Sequence, residues 1–241
     1  MISHGLDLPE GCDVIEAEIG GKHVRFCIQS REDKIQRKHA AGKFWELDEL
    51  IVMAAYLPKA GVFCDIGANV GNHSLYALIF MGASRVIAFE PNPASIALLR
   101  ANVGLNGLSG QVDLSYLGWG LSDRTDQGLS MITKRANLGA TRLVADGQGS
   151  IPVRPGDEMI GAARIDFIKL DVEGMEMQAL RGLERTIAAN RPPVFLELDH
   201  ANAPAFHDWV AAHDYVVVHE GPRYAENQDL LILPQERKVM P

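Results

Sequence analysis

Hydrophobic and polar residues alternate near the start of the chain. Residues 14–19 and 23–28 both alternate with a period of two, and two glycines lie between them. This arrangement predicts a β-hairpin with a two-residue turn. Residues 46–57 then carry apolar side chains at helical spacing before Pro58, which predicts a helix. We expect residues 1–60 to form an N-terminal addition that is not an independent domain.

From residue 62 onward, short apolar strands alternate with helices. The pattern predicts core strands at residues 62–67, 85–90, 112–119, 165–172 and 193–198. It predicts helices at residues 72–81, 94–103, 175–190 and 204–213. Strands that alternate with helices in this way indicate right-handed βαβ units and a mostly parallel sheet. We therefore expect residues 61–241 to form one α/β domain, with a seven-stranded sheet and helices on both of its faces.

Two segments depart from the alternation of strands and helices. Residues 128–153, after the third core strand, have no helical period and alternate weakly between glycines, which predicts a β excursion. Residues 215–220 and 229–234 are apolar runs that predict a terminal antiparallel pair. Because loops on a rigid scaffold often carry specificity, we expect the excursion to cover an acceptor site, with Asn137 and Gly139 at its tip as substrate contacts.

Composition narrows the class of protein. The chain has 241 residues, of which 47% are hydrophobic and 22% are charged, as in soluble globular domains. The formal net charge of −8 argues against a nucleic-acid partner. The apolar runs are too short to span a membrane, and the first 13 residues do not resemble a signal peptide. Three cysteines without metal-binding spacing favour a cytoplasmic location, and a homodimer is compatible with the sequence.

The turn after the first core strand suggests a cationic ligand. It reads Asp65-Ile66-Gly67-Ala68-Asn69-Val70-Gly71. A simple glycine turn is one interpretation, and a dinucleotide site is another, but the second glycine of that fingerprint is replaced by Asn69 and Asp65 would repel a pyrophosphate. S-adenosylmethionine is the third interpretation, because its sulfonium and ammonium groups are positively charged. The helix start at residues 70–73 would then hold the carboxylate of this cofactor.

Two further segments complete the predicted cofactor site. Glu90 ends the second core strand 25 residues after Asp65, where a carboxylate can accept hydrogen bonds from both ribose hydroxyls. NAD-dependent enzymes use the same contact, so Glu90 alone does not distinguish the two cofactors. After the third strand, Gly120, Leu121 and Ser122 lie where adenine would bind by backbone and apolar contacts.

The chain resembles the FkbM family of S-adenosylmethionine-dependent methyltransferases. The resemblance covers residues 44–198 and rests on the segments "VFCDIGANVGNHSLYA", "VIAFEPNPASIALLRANVGLNG", "DFIKLDVEGMEMQALRG" and "PPVFLEL". It implies the class I, Rossmann-like methyltransferase fold and, commonly, O-methylation of sugars or natural products. It implies a cofactor site that contains Asp65, Gly67, Asn69, Gly71, Asn72 and Glu90, to which we add their neighbours Ala68, Pro91 and Asn92. Asp171 and Glu173 would lie beside the transferred methyl group, and Glu46 resembles an acid that the family places before its first core strand.

Methylation of a hydroxyl group needs a base or a metal ion near the fourth core strand. A period of two places Lys169, Asp171 and Glu173 on one side if the strand stays extended that far. Glu197 ends the next strand, with Asp199 and His200 directly after it.

The predicted catalytic residues are therefore Asp171, Glu173, Glu197, His200 and Lys169. Asp171, Glu173 and Glu197 could bind Mg²⁺ or share one proton-transfer role, and His200 is a further candidate base. Lys169 is expected to pair with an acid, and His73 to make a structural hydrogen bond.

The leading hypothesis is thus an O-methyltransferase that acts on a small hydroxylated acceptor. Methylation of nitrogen or carbon by the same fold is an alternative, although the segment after the fourth strand lacks the N/D-P-P-aromatic motif of many N-methyltransferases. An NAD-dependent oxidoreductase and a binding protein without catalytic activity are two alternatives from other classes.

Overall fold

The computed structural model describes residues 8–133, 141–145 and 147–237. Its strands are β1 (Asp13–Ile19), β2 (Lys22–Ile28), β3 (Val62–Ile66), β4 (Arg85–Glu90), β5 (Val112–Leu117), β6 (Gly120–Leu121), β7 (Asp126–Thr133), β8 (Thr141–Ala145), β9 (Ile151–Arg154), β10 (Phe167–Leu170), β11 (Val194–Asp199), β12 (Tyr215–Arg223) and β13 (Asn227–Pro234). Its α-helices are α1 (Lys34–Ala40), α2 (Leu47–Ala54), α3 (Asn72–Tyr76), α4 (Pro93–Leu105), α5 (Gly156–Met159), α6 (Glu176–Gly182), α7 (Glu184–Asn190) and α8 (Ala203–Ala212).

The central sheet has seven strands in the order β12-β13-β11-β10-β3-β4-β5. The strands from β11 to β5 in this order run parallel, and β13 and β12 are antiparallel to their neighbours. This confirms the predicted α/β fold with a mostly parallel seven-stranded sheet. The chain runs from β3 outward to β5 and later returns to β10 on the other side of β3. The switch point between β3 and β10 is where ligands of such sheets bind.

Helices cover both faces of this sheet. On one face, Phe63, Phe167 and Phe195 pack with side chains from β2, α2 and α3. On the other face, Ile66 and Leu170 pack with side chains from α6, α7 and α8. The alternation of side chains along each strand explains this division, because neighbouring residues point to opposite faces. The N-terminal addition therefore contributes to the core on the first face.

The N-terminal hairpin and the terminal antiparallel pair both form as predicted. In the hairpin, Asp13 pairs with Ile28 and Ile19 pairs with Lys22, so the two glycines make the turn. The helix predicted over residues 72–81 is α-helical in α3 and continues as a π-helical turn over Ala77–Met81. Asn92 caps α4 by accepting a hydrogen bond from the backbone N–H of Ala94, as expected for an N-cap followed by proline.

The predicted excursion is a separate four-stranded sheet with the order β6-β9-β7-β8. It begins earlier than the predicted range 128–153, since β6 pairs with β9 before β7 starts. Asn137 and Gly139, the predicted tip of the excursion, lie outside the described residues. Among the residues that the structure describes, no helix combines the length and the apolar composition needed to cross a bilayer.

The single helix predicted over residues 175–190 is wrong, because two helices, α6 and α7, meet at Leu183. The Asp157 carboxylate accepts hydrogen bonds from the backbone N–H groups of Arg185 and Thr186 and from the Thr186 hydroxyl. These bonds satisfy the first turn of α7 from outside, which stabilises a second helix start. Apolar periodicity continues through the junction, so the break has no signal in that pattern.

Gly182, the last residue of α6, lies against the backbone of the β6 segment. A Cβ atom at this position would lie 2.0 Å from the carbonyl oxygen of Ser122. We expect Gly182→Ala to lower the free energy of unfolding by about 2 kcal/mol or more, because backbone must move to remove the overlap. Urea unfolding measures this change. Gly110→Ala is the matched control, since a Cβ there meets no atom within 4 Å, and equal stability of both variants would contradict the predicted contact.

Candidate functional site

A cavity of about 580 Å³ lies at the carboxyl ends of β3, β4 and β10. We call it the main cavity. It is lined by Ile66, Gly67, Asn69, Phe89, Glu90, Pro91, Trp119, Gly120, Leu121, Asp171, Val172, Glu173 and Met175. Three of these residues are acidic and none is basic, so the lining favours a ligand that is neutral or positively charged. The volume is in the range of small-molecule sites, which is roughly 300–1,000 Å³.

The turn after β3 forms one wall of the main cavity through tight backbone contacts. Gly67 has a φ of 79°, and a Cβ atom there would lie 1.8 Å from the carbonyl oxygen of Asp171. The backbone N–H groups of Gly67 and Ala68 both donate to the carbonyl oxygen of Phe89. Only glycine allows this close approach of the turn to the end of β10. The sequence "DIGANVG" therefore encodes a fixed wall and not merely a flexible turn.

Glu90 is buried at the end of β4 and holds two parts of the cavity wall together. Its carboxylate accepts hydrogen bonds from the backbone N–H of Asn69 at 2.7 Å and of Asn92 at 2.8 Å. Burial raises the pKa of Glu90 to about 7, although the two backbone hydrogen bonds act in the opposite direction. Each carboxylate oxygen has a second lone pair, so the group retains acceptor capacity toward the cavity.

The structure places six of the predicted cofactor residues in the lining of the main cavity, and they are Gly67, Asn69, Glu90, Pro91, Gly120 and Leu121. The other predicted cofactor residues lie behind the lining. These are Asp65, Ala68, Gly71, Asn72, Asn92 and Ser122. Each of these residues is adjacent in sequence, or nearly so, to one that lines the cavity.

Asp65 is fully buried and points to the side of the sheet that the N-terminal addition covers. It pairs in register with Lys169 of β10, and its Oδ1 atom lies 3.8 Å from the Nζ atom of Lys169. Its Oδ2 atom accepts a hydrogen bond of 2.6 Å from the Ser74 hydroxyl. Burial raises the pKa of Asp65, while the charge of Lys169 and the Ser74 hydrogen bond act to lower it.

Lys169 connects this buried acid to the main cavity. Its ammonium group donates to the carbonyl oxygen of Gly67 at 2.9 Å and lies 3.3 Å from Oδ2 of Asp171. Burial alone would lower the pKa of Lys169, but the charges of Asp171, Asp65 and Glu46 outweigh it and raise the pKa. Lys169 therefore stays protonated and pairs with acids, as the sequence predicts.

Asn72 joins the N-terminal addition to the helix that follows the turn. Its side-chain carbonyl accepts a hydrogen bond from the backbone N–H of Trp45, and its amide donates to the carbonyl oxygen of Trp45. The same carbonyl lies 3.0 Å from Nε2 of His39. Burial lowers the pKa of His39 to about 4, so this imidazole is neutral and can donate to Asn72. Asn72 thus supports the cavity wall from behind.

The predicted acids of β10 and β11 do come together. Carboxylate oxygens of Asp171, Glu173 and Glu197 all lie within 4.8 Å of one another. The expectation that an extended strand brings Glu173 to this side is wrong, because β10 ends at Leu170 and Glu173 has a φ of 50°. A turn brings Glu173 back toward Glu197 instead. Carboxylates are the ligands that Mg²⁺ prefers, so the metal site stays a prediction.

A second, smaller cavity of about 260 Å³ adjoins this group, and we call it the acidic cavity. It is lined by Glu173, Gly174, Glu176, Glu197, Asp199, Glu226 and Asn227. Glu173 also lines the main cavity, so the two cavities meet at this residue. Asn227 donates a hydrogen bond from its side-chain amide to Glu197.

The carboxyl groups on this side of the sheet hold protons unusually tightly. Burial raises the pKa of Glu197 to about 10, with further contributions from the charges of Asp171, Glu173 and Asp229. Burial likewise raises the pKa of Asp229 to about 7 and that of Glu46 to about 8. In both cases the charge of Asp171 adds to the shift. Glu197 therefore carries a proton at neutral pH unless a cation binds nearby.

Two histidines lie near these acids without lining either cavity. The Nε2 atom of His73 lies 3.6 Å from Oε2 of Glu46, and burial lowers the pKa of His73 well below its usual range. His200 belongs to a 3-10 helix, and its backbone N–H donates to the carbonyl oxygen of Glu226. The structure therefore keeps His200 outside the group formed by Asp171, Glu173 and Glu197.

Several residues of the site are absent from the predicted set. Trp119 and Met175 line the main cavity, and Asp229 belongs to the group of buried acids. Trp119 directly precedes the predicted Gly120, so its position in the sequence was a usable signal. Asp229 begins an otherwise apolar strand, and an acid in that position was the signal for its role.

Comparisons with known proteins agree with the geometry. The sequence profile of the methyltransferase FkbM domain matches residues 65–217. Hexuronic acid methyltransferase AglP of Haloferax volcanii is 28% identical over 174 residues, which cover 71% of this chain and 69% of AglP. Methyltransferase sdnD of Sordaria araneosa is 30% identical over 168 residues, which cover 54% of this chain and 63% of sdnD.

One solved structure is similar over most of the described fold. The crystal structure of methyltransferase FkbM from Methylobacillus flagellatus superposes with a TM-score of 0.53 at 20% sequence identity. The superposition covers 72% of this chain and 43% of that chain. This chain therefore matches less than half the length of that structure, and at this identity the likeness concerns the fold alone.

The raised pKa values predict how stability depends on pH. Glu197, Glu46 and Asp229 keep protons in the folded state that the unfolded chain releases above its ordinary pKa near 4.5 for Glu and 3.8 for Asp. The free energy of unfolding should therefore fall between about pH 5 and about pH 8, by at most about 1.4 kcal/mol per pH unit for each proton held. Urea unfolding of the ligand-free protein across this range measures the slope.

Two variants assign this slope to the buried acids. Glu197→Gln should make the dependence shallower, whereas Glu220→Gln, which removes an exposed carboxylate from β12, should leave it unchanged. A wild-type stability that is constant or rises over this range would contradict the assignment.

Proposed function

Because this chain belongs to the methyltransferase FkbM domain family and has the class I, Rossmann-like fold, we propose that it transfers a methyl group from S-adenosylmethionine to a hydroxyl group of a small polar acceptor. The observation that carries this proposal is the main cavity, which lies at the switch point of the sheet and has acidic but no basic residues in its lining. AglP, by its name a hexuronic acid methyltransferase, supports an acceptor that resembles a sugar.

The residues of the main cavity fit S-adenosylmethionine. The cavity has the volume of a small-molecule site, and Glu90, Asp171 and Glu173 give it the negative charge that a sulfonium and an ammonium group require. Glu90 would accept hydrogen bonds from the ribose hydroxyls through its remaining lone pairs. Trp119 and Leu121 would supply the apolar contacts for adenine, and the backbone of Gly67 and Asn69 would border the amino-acid end.

The same lining does not favour a dinucleotide. A pyrophosphate would meet the carboxylates of Glu90 and Asp171 without a basic side chain in the lining. In addition, Glu90 already accepts the backbone N–H of Asn69, which is a group that a phosphate would otherwise use. The methyl donor is therefore the better match than NAD.

The reaction breaks a carbon–sulfur bond of the donor while a carbon–oxygen bond to the acceptor forms, and the hydroxyl proton must leave. Asp171 is the residue that takes this proton, since it lines the main cavity and belongs to the group with Glu173 and Glu197. Lys169 lies 3.3 Å from Asp171 and holds its carboxylate in place. Glu197, which is protonated at neutral pH, can exchange its proton with Asp171 within the group. Lys169 is a positioning residue.

Two finer alternatives stay open to experiment. Mg²⁺ bound by Asp171, Glu173 and Glu197 would activate the hydroxyl as a Lewis acid instead of a base. In that case a chelator would abolish turnover and Mg²⁺ would restore it. Methylation of nitrogen or carbon would use the same donor and is distinguished by the position of an isotopically labelled methyl group in the product.

Replacement of Glu90 tests the donor site. We expect Glu90→Gln to weaken the binding of S-adenosylmethionine by about 10- to 100-fold, because a hydrogen bond to a charged group contributes roughly 1.5–3 kcal/mol. Isothermal titration calorimetry measures the affinity, and circular dichroism checks that the variant is folded. Glu18→Gln, on the exposed face of β1, is the matched control and should bind as the wild type does. Unchanged affinity of Glu90→Gln would remove Glu90 from the site.

Replacement of Asp171 tests the base. Asp171→Asn should reduce turnover by about 10²- to 10⁴-fold while donor affinity stays within a few-fold of the wild type, because general-base catalysis contributes rate enhancement of this size. Transfer of a labelled methyl group gives the rate, and calorimetry gives the affinity. Asp208→Asn on α8 removes the same charge from an exposed position and should have the wild-type rate. A fully active Asp171→Asn protein would show that another group takes the proton.

A further inference from the structure

Asp229 is a buried acid with no described partner for one of its oxygens. Its side chain is 5% exposed, and its Oδ2 atom makes no hydrogen bond. In the sheet it lies directly opposite Glu197, so both side chains are on the same face. Burial of a carboxylate without a partner is unfavourable unless the group binds a proton or a cation. This pair of acids is thus incomplete in the described structure.

Lys169 does not complete this pair. Its ammonium group is 3% exposed and is held by Asp65, Asp171 and the carbonyl oxygen of Gly67. None of the seven residues that line the acidic cavity, which Glu197 borders, is basic. A positive charge that neutralises Glu197 and Asp229 must therefore come from a ligand.

The donor does not supply that charge. The main cavity is bordered by Glu90, Asp171 and Glu173, whereas neither Glu197 nor Asp229 lines it. The positive groups of S-adenosylmethionine would therefore meet the first set of carboxylates. Glu197 lines the acidic cavity, which adjoins the main cavity at Glu173 and has about 260 Å³ of its own space.

An exposed aromatic ring lies at the same place. Tyr224, in the connection between β12 and β13, is 50% exposed. Burial of part of the side chain raises the pKa of its phenol, and the charges of Asp229, Glu46 and Glu197 add to this effect, which places Tyr224 near the acids. Ammonium groups bind favourably to aromatic faces as well as to carboxylates.

We propose that the acceptor carries a protonated amine, which binds in the acidic cavity beside Glu197 and Asp229 while the hydroxyl group to be methylated lies at Asp171. This inference rests on the proposed function and adds the charge of the acceptor to it. A metal ion needs all of its ligands within about 2.0–2.6 Å of one point. An ammonium group on a larger molecule suits acids that come from two strands and a turn.

The proposal also separates recognition from reaction. A protonated amine held by carboxylates has no lone pair with which to attack a methyl group. The amine is therefore the group that the protein recognises, and oxygen is the atom that it methylates. A hexuronic acid would instead place its own carboxylate among Glu173, Glu197 and Asp229, where like charges repel each other.

The experiment uses four matched sugars with the wild-type protein. They are the methyl glycosides of glucosamine, N-acetylglucosamine, glucose and glucuronic acid. Binding to protein loaded with S-adenosylhomocysteine is measured by calorimetry, in the presence of EDTA and again with Mg²⁺. We expect the glucosamine glycoside to bind at least about tenfold more tightly than the two neutral glycosides, and the glucuronide to bind most weakly, because a charged hydrogen bond is lost or reversed.

Variants locate the preference. Asp229→Asn should remove most of the preference for the amine, with little effect on the affinity for the neutral glycosides, and Tyr224→Ala should reduce it in part. Asp208→Asn is the control for loss of one negative charge. A tenfold preference that persists in Asp229→Asn would overturn the assignment to this cavity.

Other outcomes overturn the proposal in distinguishable ways. If S-adenosylmethionine binds but the amine has no advantage over the neutral sugars, the acceptor is not cationic. If sugars bind only with Mg²⁺ and EDTA removes this binding, the missing cation is a metal ion. If S-adenosylmethionine itself does not bind, the proposed function fails, and this inference fails with it.

Discussion

The structure around the site depends on one buried ammonium group. Lys169 lies opposite Asp65 in the sheet, contacts Asp171, and donates to the carbonyl oxygen of Gly67. Removal of one partner from such a buried arrangement leaves an uncompensated charge, which is strongly unfavourable. The ends of β3 and β10 and the turn between β3 and α3 are therefore held in one geometry. The wall of the main cavity and the orientation of the proposed base both follow from it.

Local patterns predicted most of the fold because they act over short distances in sequence. The hairpin, the strand β4 and the N-cap at Asn92 are determined by residues within a few positions of each other. The junction between α6 and α7 depends on Asp157, which lies 29 residues before Thr186. Such a contact exists only once the chain has folded, and a pattern that reports apolar spacing does not contain it.

The site was predicted in its location more than in its details. Parallel strands place their carboxyl ends at one edge, so the positions of Glu90, Asp171 and Glu197 in the sequence were sufficient to bring them to that edge. The direction of each side chain was harder, because Asp65 faces the interior and Asn72 binds Trp45. Asp229 joins the group through the antiparallel strand β13, whose position beside β11 is a property of the tertiary fold.

Two asparagines link the N-terminal segments to the turn beside the main cavity, and this affects the order in which the molecule can assemble. Asn102 of α4 accepts a hydrogen bond from the backbone N–H of Cys27 and donates to the carbonyl oxygen of Val70, while Asn72 binds Trp45. The first of these bonds spans 75 residues, so the hairpin leaves the ribosome well before its partner in α4. Closure of so long a chain segment is entropically slow. The cavity wall is thus among the last parts of the molecule to become rigid during synthesis.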